Sequence, residues 1–276
     1  MRRNVIFSVI LNLFILASAQ FVWAQEEGSQ KFHGFNLQGY TDGGDKAWDV
    51  NGTTANIKGE SIEIIDVDAN QYGKEDMNLK AKTGVIDKAT GDIHLEKNVV
   101  ITTKTRGKLT TDTLDWKKQE DIVTTQDKVF ITDKGMTASG LGLEARPGLK
   151  TAKLKRAVTV NVETEPEKKN GSPVTITCDG PMEIDQNANM AVFQDNVVAV
   201  QDDKTLKADR MEVHFDPDTS QIEQTICIGN VEIVQGENVT YSQRAVYNAS
   251  DKKLILSGRP KLIMVTEGDG GISPLK

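Results

Sequence analysis

From about residue 45 onward, short runs of alternating apolar and polar residues, punctuated by Gly, Asn or Asp, recur with a period near thirty. The recurring marks are Asn98-Val99, Lys128-Val129, Ala157-Val158, Asn196-Val197 and Asn230-Val231, closed by Pro260-Lys261, at spacings of 30, 29, 39, 34 and 30 residues. Each mark reads as the end of a unit of two or three strands. Turn signals such as Asp87-Lys-Ala-Thr-Gly91 and Asp216-Pro-Asp-Thr-Ser220 separate the strands. Within a run, Leu79, Ala81, Thr83 and Val85 alternate with Lys80, Lys82 and Gly84, which gives one dry face and one wet face. A unit this small cannot bury its dry face alone, so neighbours must stack. The pattern therefore predicts an elongated all-β chain.

The residues pointing inward are medium-sized aliphatics: Ile62, Ile64, Val99, Ile101, Val129 and Ile131 in the first half, then Met182, Ile184, Met211, Val213, Val231, Ile233, Leu254 and Leu256. Aromatics are only 5% of the chain, so few rings are available to plug an interior. Periodicity alone leaves two outcomes open. The aliphatics close on one another as an ordinary core, or they leave a slot wide enough for acyl chains.

Residues 1–24 read as an export signal: Arg2 and Arg3, an apolar run from Val5 to Ala17, and small residues before Gln25. An uncleaved anchor is the alternative, since Val5 to Trp23 approaches the roughly 20 residues of a membrane span. Both readings place the rest of the chain outside the cytoplasm. The segment Glu163–Pro173 is charged, poor in apolar residues and bounded by prolines, which marks a linker over 163–173 between modules at 25–162 and 174–276.

The net charge of −7 argues against a dedicated nucleic-acid binder. His33, His94 and His214 are isolated, and Cys178 and Cys227 are 49 residues apart, so no metal motif, cofactor or catalytic constellation is expected. Cys178, at period two after Val174 and Ile176, reads as a small buried residue that needs no disulfide partner. No glycine-rich phosphate loop is present, so the chain is not expected to be an enzyme or a pump in its own right.

The residues Thr205-Leu-Lys-Ala-Asp-Arg-Met-Glu-Val213, Gly229-Asn-Val-Glu-Ile-Val-Gln-Gly236, Ala245-Val-Tyr247 and Leu254-x-Leu-x-Gly258-x-Pro260 resemble the OstA/LptA family of periplasmic lipopolysaccharide-transport proteins. In the first half, Trp48-Asp-Val50, Leu79-Lys-Ala81 with Gly84, Leu109-Thr-Thr-Asp-Thr-Leu114-Asp-Trp116 and Gly140-Leu-Gly-Leu-Glu144 resemble the related LptC family. The resemblance implies two open β-jellyroll (β-taco) modules whose apolar interior holds the acyl chains of lipopolysaccharide. It further implies docking end to end through edge strands, in a bridge from an inner-membrane ABC transporter toward an outer-membrane translocon. Self-association by the same edges is a further expectation. On this footing the fourteen inward aliphatics line a lipid groove in a periplasmic carrier. The competing reading is a closed β-solenoid that serves as a spacer or adhesin.

Two basic stretches stand out. Lys104, Arg106 and Lys108 share one strand face at period two, and Lys150, Lys153, Lys155 and Arg156 form a second cluster. Solvated faces account for both; the sharper expectation is that they meet lipid phosphates at the groove rim.

Overall fold

A computed structural model of the chain describes residues 29–73, 76–103, 107–133, 135–163, 172–218 and 221–265. Those residues form antiparallel β-strands; no α-helix occurs among them, and one 3-10 turn spans Pro147–Leu149. They fall into two compact units. The first takes the described residues up to 133 together with Ser139–Lys153, and the second takes Gly135–Ala138 and the described residues from Leu154 on. Of the expected linker, only residues 163, 172 and 173 are described.

The first unit opens as a meander. Its strands are β1 (Gln30–Tyr40), β2 (Lys46–Lys58), β3 (Ser61–Gln71), β4 (Met77–Asp87), β5 (Ile93–Thr103), β6 (Lys108–Lys117) and β7 (Ile122–Asp133), each paired antiparallel with the next. β8 (Met136–Arg146) follows, and β9 (Thr151–Val162) crosses from the first unit to the second at Leu154. The turn expected at Asp87–Gly91 closes on the Asp87 carboxylate, which accepts from the backbone N–H groups of Ala89 at 2.9 Å and Thr90 at 2.8 Å. Two glycines on the β1–β2 pair are covered by rings. Phe35 fills the space a Cβ at Gly52 would take, and Trp48 does the same over Gly39.

In the second unit, β9 pairs with β10 (Val174–Cys178) from Val162↔Val174 to Val158↔Cys178. β10 and β11 (Met182–Asp185) pair in succession with one long strand, β12 (Met190–Gln201). The meander then continues through β13 (Lys204–Phe215), β14 (Ile222–Gln235) and β15 (Asn238–Asn248). Two short strands, β16 (Lys253–Ser257) and β17 (Lys261–Ile263), share the far edge of β15.

Five of the marks read from the sequence as unit ends, Asn98-Val99 to Asn230-Val231, lie inside strands; Pro260-Lys261 lies at the start of a short one. In β5, β12 and β14 the pairs Lys97–Asn98, Asp195–Asn196 and Gly229–Asn230 form bulges: two residues face one on the neighbouring strand, and the register shifts. Both residues of each pair take positive φ, between 45° and 78°. Asn is among the few side chains that tolerate that conformation, which explains its recurrence at the marks. Asn196 donates to Asp179 at 2.7 Å and Asn230 to Asp209 at 2.9 Å. The following valine turns inward. Val99, Val129, Val158, Val197 and Val231 are 0%, 0%, 1%, 0% and 1% exposed.

A bulge also resets which face is dry. Opposite Lys97–Asn98, the β4 register shifts between Lys80 and Thr83. Met77, Leu79 and Ala81 are buried before that point, and Gly84 and Ile86 after it. Strict alternation through Thr83 and Val85 therefore fails: Val85 is 37% exposed, because the shift moves it to the wet side.

The wet face of the first unit carries its own polar ties. Asp49 is only 3% exposed. It is held by Lys46 at 2.5 Å, Tyr72 Oη at 2.7 Å and Asn70 Nδ2 at 2.9 Å. Burial pushes its carboxyl up, but the hydrogen bonds from Lys46, Asn70 and Tyr72 outweigh that and hold it below the usual carboxylate range. On β5 and β6, His94 Nδ1 lies 2.6 Å from Asp115 Oδ1 and Nε2 lies 3.0 Å from Glu96 Oε1. A neutral imidazole has one N–H and leaves its other nitrogen facing a carboxylate. The bond to Asp115, then that to Glu96, therefore raises the His94 pKa.

Two outcomes follow from these ties. Asn196→Val forces a β-branched residue into positive φ and removes the Asp179 bond, so it is expected to cost about 2 kcal/mol in urea unfolding, with Asn196→Gly costing less. Because the folded-state His94 pKa is raised, its contribution is fully present below about pH 6.5 and is lost as pH rises through the folded pKa. Glu96, held low chiefly by His94, contributes above the ordinary carboxylate range and loses that as pH falls. His94→Gln should flatten stability against pH in that window by under about 1 kcal/mol, since the group is partly solvated. An NMR titration of His94 that gives an ordinary or lowered pKa would contradict the arrangement.

Candidate functional site

The inward faces of β2 to β7 enclose an apolar slot in the first unit. Its walls are Val50, Ile64, Val67, Ala69, Met77, Leu79, Gly84, Ile86, Ile93, Leu95, Ile101, Leu114, Trp116 and Val123. The cavity holds about 40 Å³, within about 600 Å³ of unfilled space that includes the part open to solvent. A water needs roughly 10–15 Å³ of such volume, so the wide part takes a few water-sized bodies at most. The slot is narrow: its walls stand close without closing, and an entering hydrocarbon chain must push them apart. Gly84 is the one wall residue without a side chain. A Cβ there would stand 3.1 Å from both Leu95 Cδ2 and Val67 Cγ2.

Of the residues expected to face inward in this half, Ile64 and Ile101 line the cavity, Val99 and Val129 are sealed at the bends, and Ile62 and Ile131 are half-buried. Most of the wall was missed by the sequence reading. Val67, Met77, Leu114 and Trp116 belong to it; Val67 follows the positive-φ Asp66, where period two restarts.

In the second unit Met182, Met211, Val213 and Val231 are buried among Phe193, Cys227 and Ala245, while Ile184 and Ile233 are half-buried. Toward the β16 edge the inward face is uncovered among the described residues. Leu254, paired with Tyr247, is 45% exposed, and Leu256, paired with the buried Ala245, is half-exposed. Where β16 gives way to β17, a recess of about 570 Å³ is lined by residues that include Asn230, Val231, Glu232, Tyr241, Gln243 and Arg259. Cys178 and Cys227 are buried free thiols. Burial pushes their pKa values up to about 11 and about 12, so both stay protonated and unreactive at neutral pH.

Lys104 and Arg106 lie outside the described residues, and Lys108 is exposed at the start of β6. Lys150 ends the 3-10 turn in a left-handed conformation, with φ of 55°. Among the described residues, no group of three His, Cys, Asp or Glu side chains is placed to hold a metal ion. None of the described helical segments is long and apolar enough to cross a membrane. What the arrangement does chemically is offer hydrocarbon walls: the slot supplies burial, and nothing in its lining supplies a nucleophile or a general base.

Comparison with known proteins bears on what such walls serve. No curated protein matches the chain. The crystal structure of LptH, the LptA homologous periplasmic component of the conserved lipopolysaccharide transport device from Pseudomonas aeruginosa, is 15% identical, and the match covers 69% of this chain and 94% of LptH. Its TM-score is 0.24. Residues 31–163 match the lipopolysaccharide-assembly, LptC-related family, and residues 175–271 match the LptA/LptD N-terminal-domain family of lipopolysaccharide-transport proteins. The chain thus carries an LptC-related segment and, in tandem after it, a segment of the LptA/LptD N-terminal-domain family.

Proposed function

We propose that this protein is a periplasmic, non-enzymatic carrier of lipopolysaccharide, part of the bridge from the inner-membrane ABC transporter to the outer-membrane translocon. The observation that carries the reading is the apolar slot inside a segment that matches the LptC-related family. Each acyl CH₂ moved from water into such walls contributes about 0.8 kcal/mol, less the wall-to-wall contact given up when the slot opens. Movement comes from a partner that hydrolyses ATP, since burial alone is reversible. With the two modules on one chain, the second stays at high effective concentration near the first, which favours transfer between them over release.

Edge strands supply the docking surfaces in this reading. The β16–β17 edge exposes Leu254, Ile255, Leu262 and Ile263, and β1 exposes Phe32, Leu37 and Tyr40. Apolar side chains on a strand edge are a hazard unless another strand covers them, which suits end-to-end addition of a partner module or of a second copy. Of the fourteen inward aliphatics, Ile64 and Ile101 are the groove contacts of the first unit in this proposal, and the basic residues Lys104, Arg106 and Lys108 meet lipid phosphate.

The test is site-specific photocrosslinking to labelled lipopolysaccharide. Probes at Ile101 and Met211, on the inner faces, are expected to label, while probes at Val85 and Lys207, on the outer faces, are not. Labelling at neither inner position, with no lipid extracted from the purified protein, would favour the filled solenoid. Gly84→Leu adds bulk where a Cβ already touches both walls, at a cost of about 1–3 kcal/mol in stability. It should abolish labelling at Ile101 while circular dichroism still reports the β-sheet.

A further inference from the structure

In the second unit the far edge of β15 is covered in two pieces. β16 pairs with it as far as Arg244↔Ser257 and β17 from Tyr241↔Lys261, so that Gly258, Arg259 and Pro260 stand opposite Ser242 and Gln243. Gly258 and Arg259 take positive φ of 79° and 62°, the conformation of the bends in β5, β12 and β14. Those bends carry Asn98, Asn196 and Asn230 at the second place. Arg259 has no short polar side chain to offset the left-handed conformation. A merely solvated arginine needs no such backbone. Here the bend sets Arg259 on the wall of the 570 Å³ recess, beside Asn230, Glu232, Tyr241 and Gln243.

The wall has hydrogen-bonding capacity to spare. Among the described residues nothing bonds the Arg259 guanidinium, the Gln243 amide or the Tyr241 hydroxyl. Asn230 gives one N–H to Asp209 and keeps the other, and Glu232 is neutralised by Lys207 at 3.0 Å. Lys261 pairs directly with Tyr241 and so shares its face, which leaves the surroundings of the recess rich in cations. A guanidinium matches the oxygens of a phosphate, planar amides match hydroxyls, and the Tyr241 ring, 40% exposed, offers a flat face to the C–H side of a sugar ring. The volume is that of a small-molecule site and larger than a bare phosphate needs.

We propose that this recess binds a phosphorylated sugar, with Arg259 on the phosphate, Asn230 and Gln243 on hydroxyls, and Tyr241 against the ring. The site belongs to the second unit alone and needs no acyl chain in the slot of the first, so it stands or falls apart from the carrier reading.

Calorimetry on the full chain at low ionic strength compares N-acetylglucosamine 1-phosphate, N-acetylglucosamine and inorganic phosphate. The sugar phosphate is expected to bind about 10-fold more tightly than either fragment. Arg259→Gln should weaken it about 10-fold, the worth of one charge-assisted hydrogen bond, and Arg259→Lys should weaken it less. Tyr241→Ala should weaken the sugar phosphate and leave inorganic phosphate unchanged. Two controls should keep wild-type affinity: Lys88→Gln removes an exposed charge in the first unit, and Ser242→Ala removes a lining hydroxyl whose oxygen is buried. Urea unfolding of Arg259→Gln should match the wild type, so that lost binding is not lost fold. Displacement of the sugar phosphate by lipopolysaccharide would support a ligand carried on a lipid headgroup, and binding that lipopolysaccharide leaves untouched would support a free one. Failure of the wild type to bind the sugar phosphate, equal affinity for all three probes, or binding that Arg259→Gln leaves unchanged would overturn the site, and none of these outcomes bears on the photocrosslinking test of the carrier.

Discussion

The structure depends on a backbone constraint: two consecutive residues of positive φ inserted into a strand. Each such bulge bends its strand and sends the next valine into the interior at nearly zero exposure. Without the bends, long strands that alternate at period two would lie as sheets with one dry face to cover. With them, a strand offers its inner face in two stretches set at an angle, and neighbours bent at matching positions surround an interior. The cost of positive φ is met by Asn, Asp, Lys and Gly at the bends, and two of the Asn side chains are tied to an Asp by hydrogen bonds.

An interior shaped by bends differs from a core filled by side chains. The walls of the first unit are of medium size, the single large ring among them is Trp116, and Gly84 adds no side chain at all. Close-packed interiors leave few voids, and a set of aliphatics able to interdigitate fully would have done so. Here the bends fix the wall spacing, so a narrow gap persists. A gap of this width suits a flexible hydrocarbon chain, which trades wall-to-wall contact for wall-to-chain contact at small net cost. In the proposed carrier that makes loading reversible, whereas a deep, rigid pocket would hold its cargo instead of passing it on.

Outside the bends, polar ties do the fastening. Asp49 and His94 sit on the wet face, each engaged by groups from neighbouring strands, and both hold the meander's register where no hydrocarbon contact does. Placing these ties on the outer face leaves the lining of the slot free of charge.

The sequence alone determined that the chain is all-β, that its interior is aliphatic and that its repeat is near thirty residues, because turn residues, β-branched side chains and period two are local properties. It also carried the tandem of LptC-related and LptA-like segments. What it misassigned was the meaning of the marks: Asn98-Val99 and its counterparts lie mid-strand, and alternation read straight through Thr83 put Val85 on the wrong face. Period-two reading assumes an unbroken pleat, and a single bulge reverses every side chain beyond it. Only the tertiary structure decided that Trp116 lines the slot with its N–H unpaired, and that Leu254 lies exposed at an edge. Both depend on which strands stand opposite, and a residue's distant neighbours across a sheet leave no trace in its local pattern.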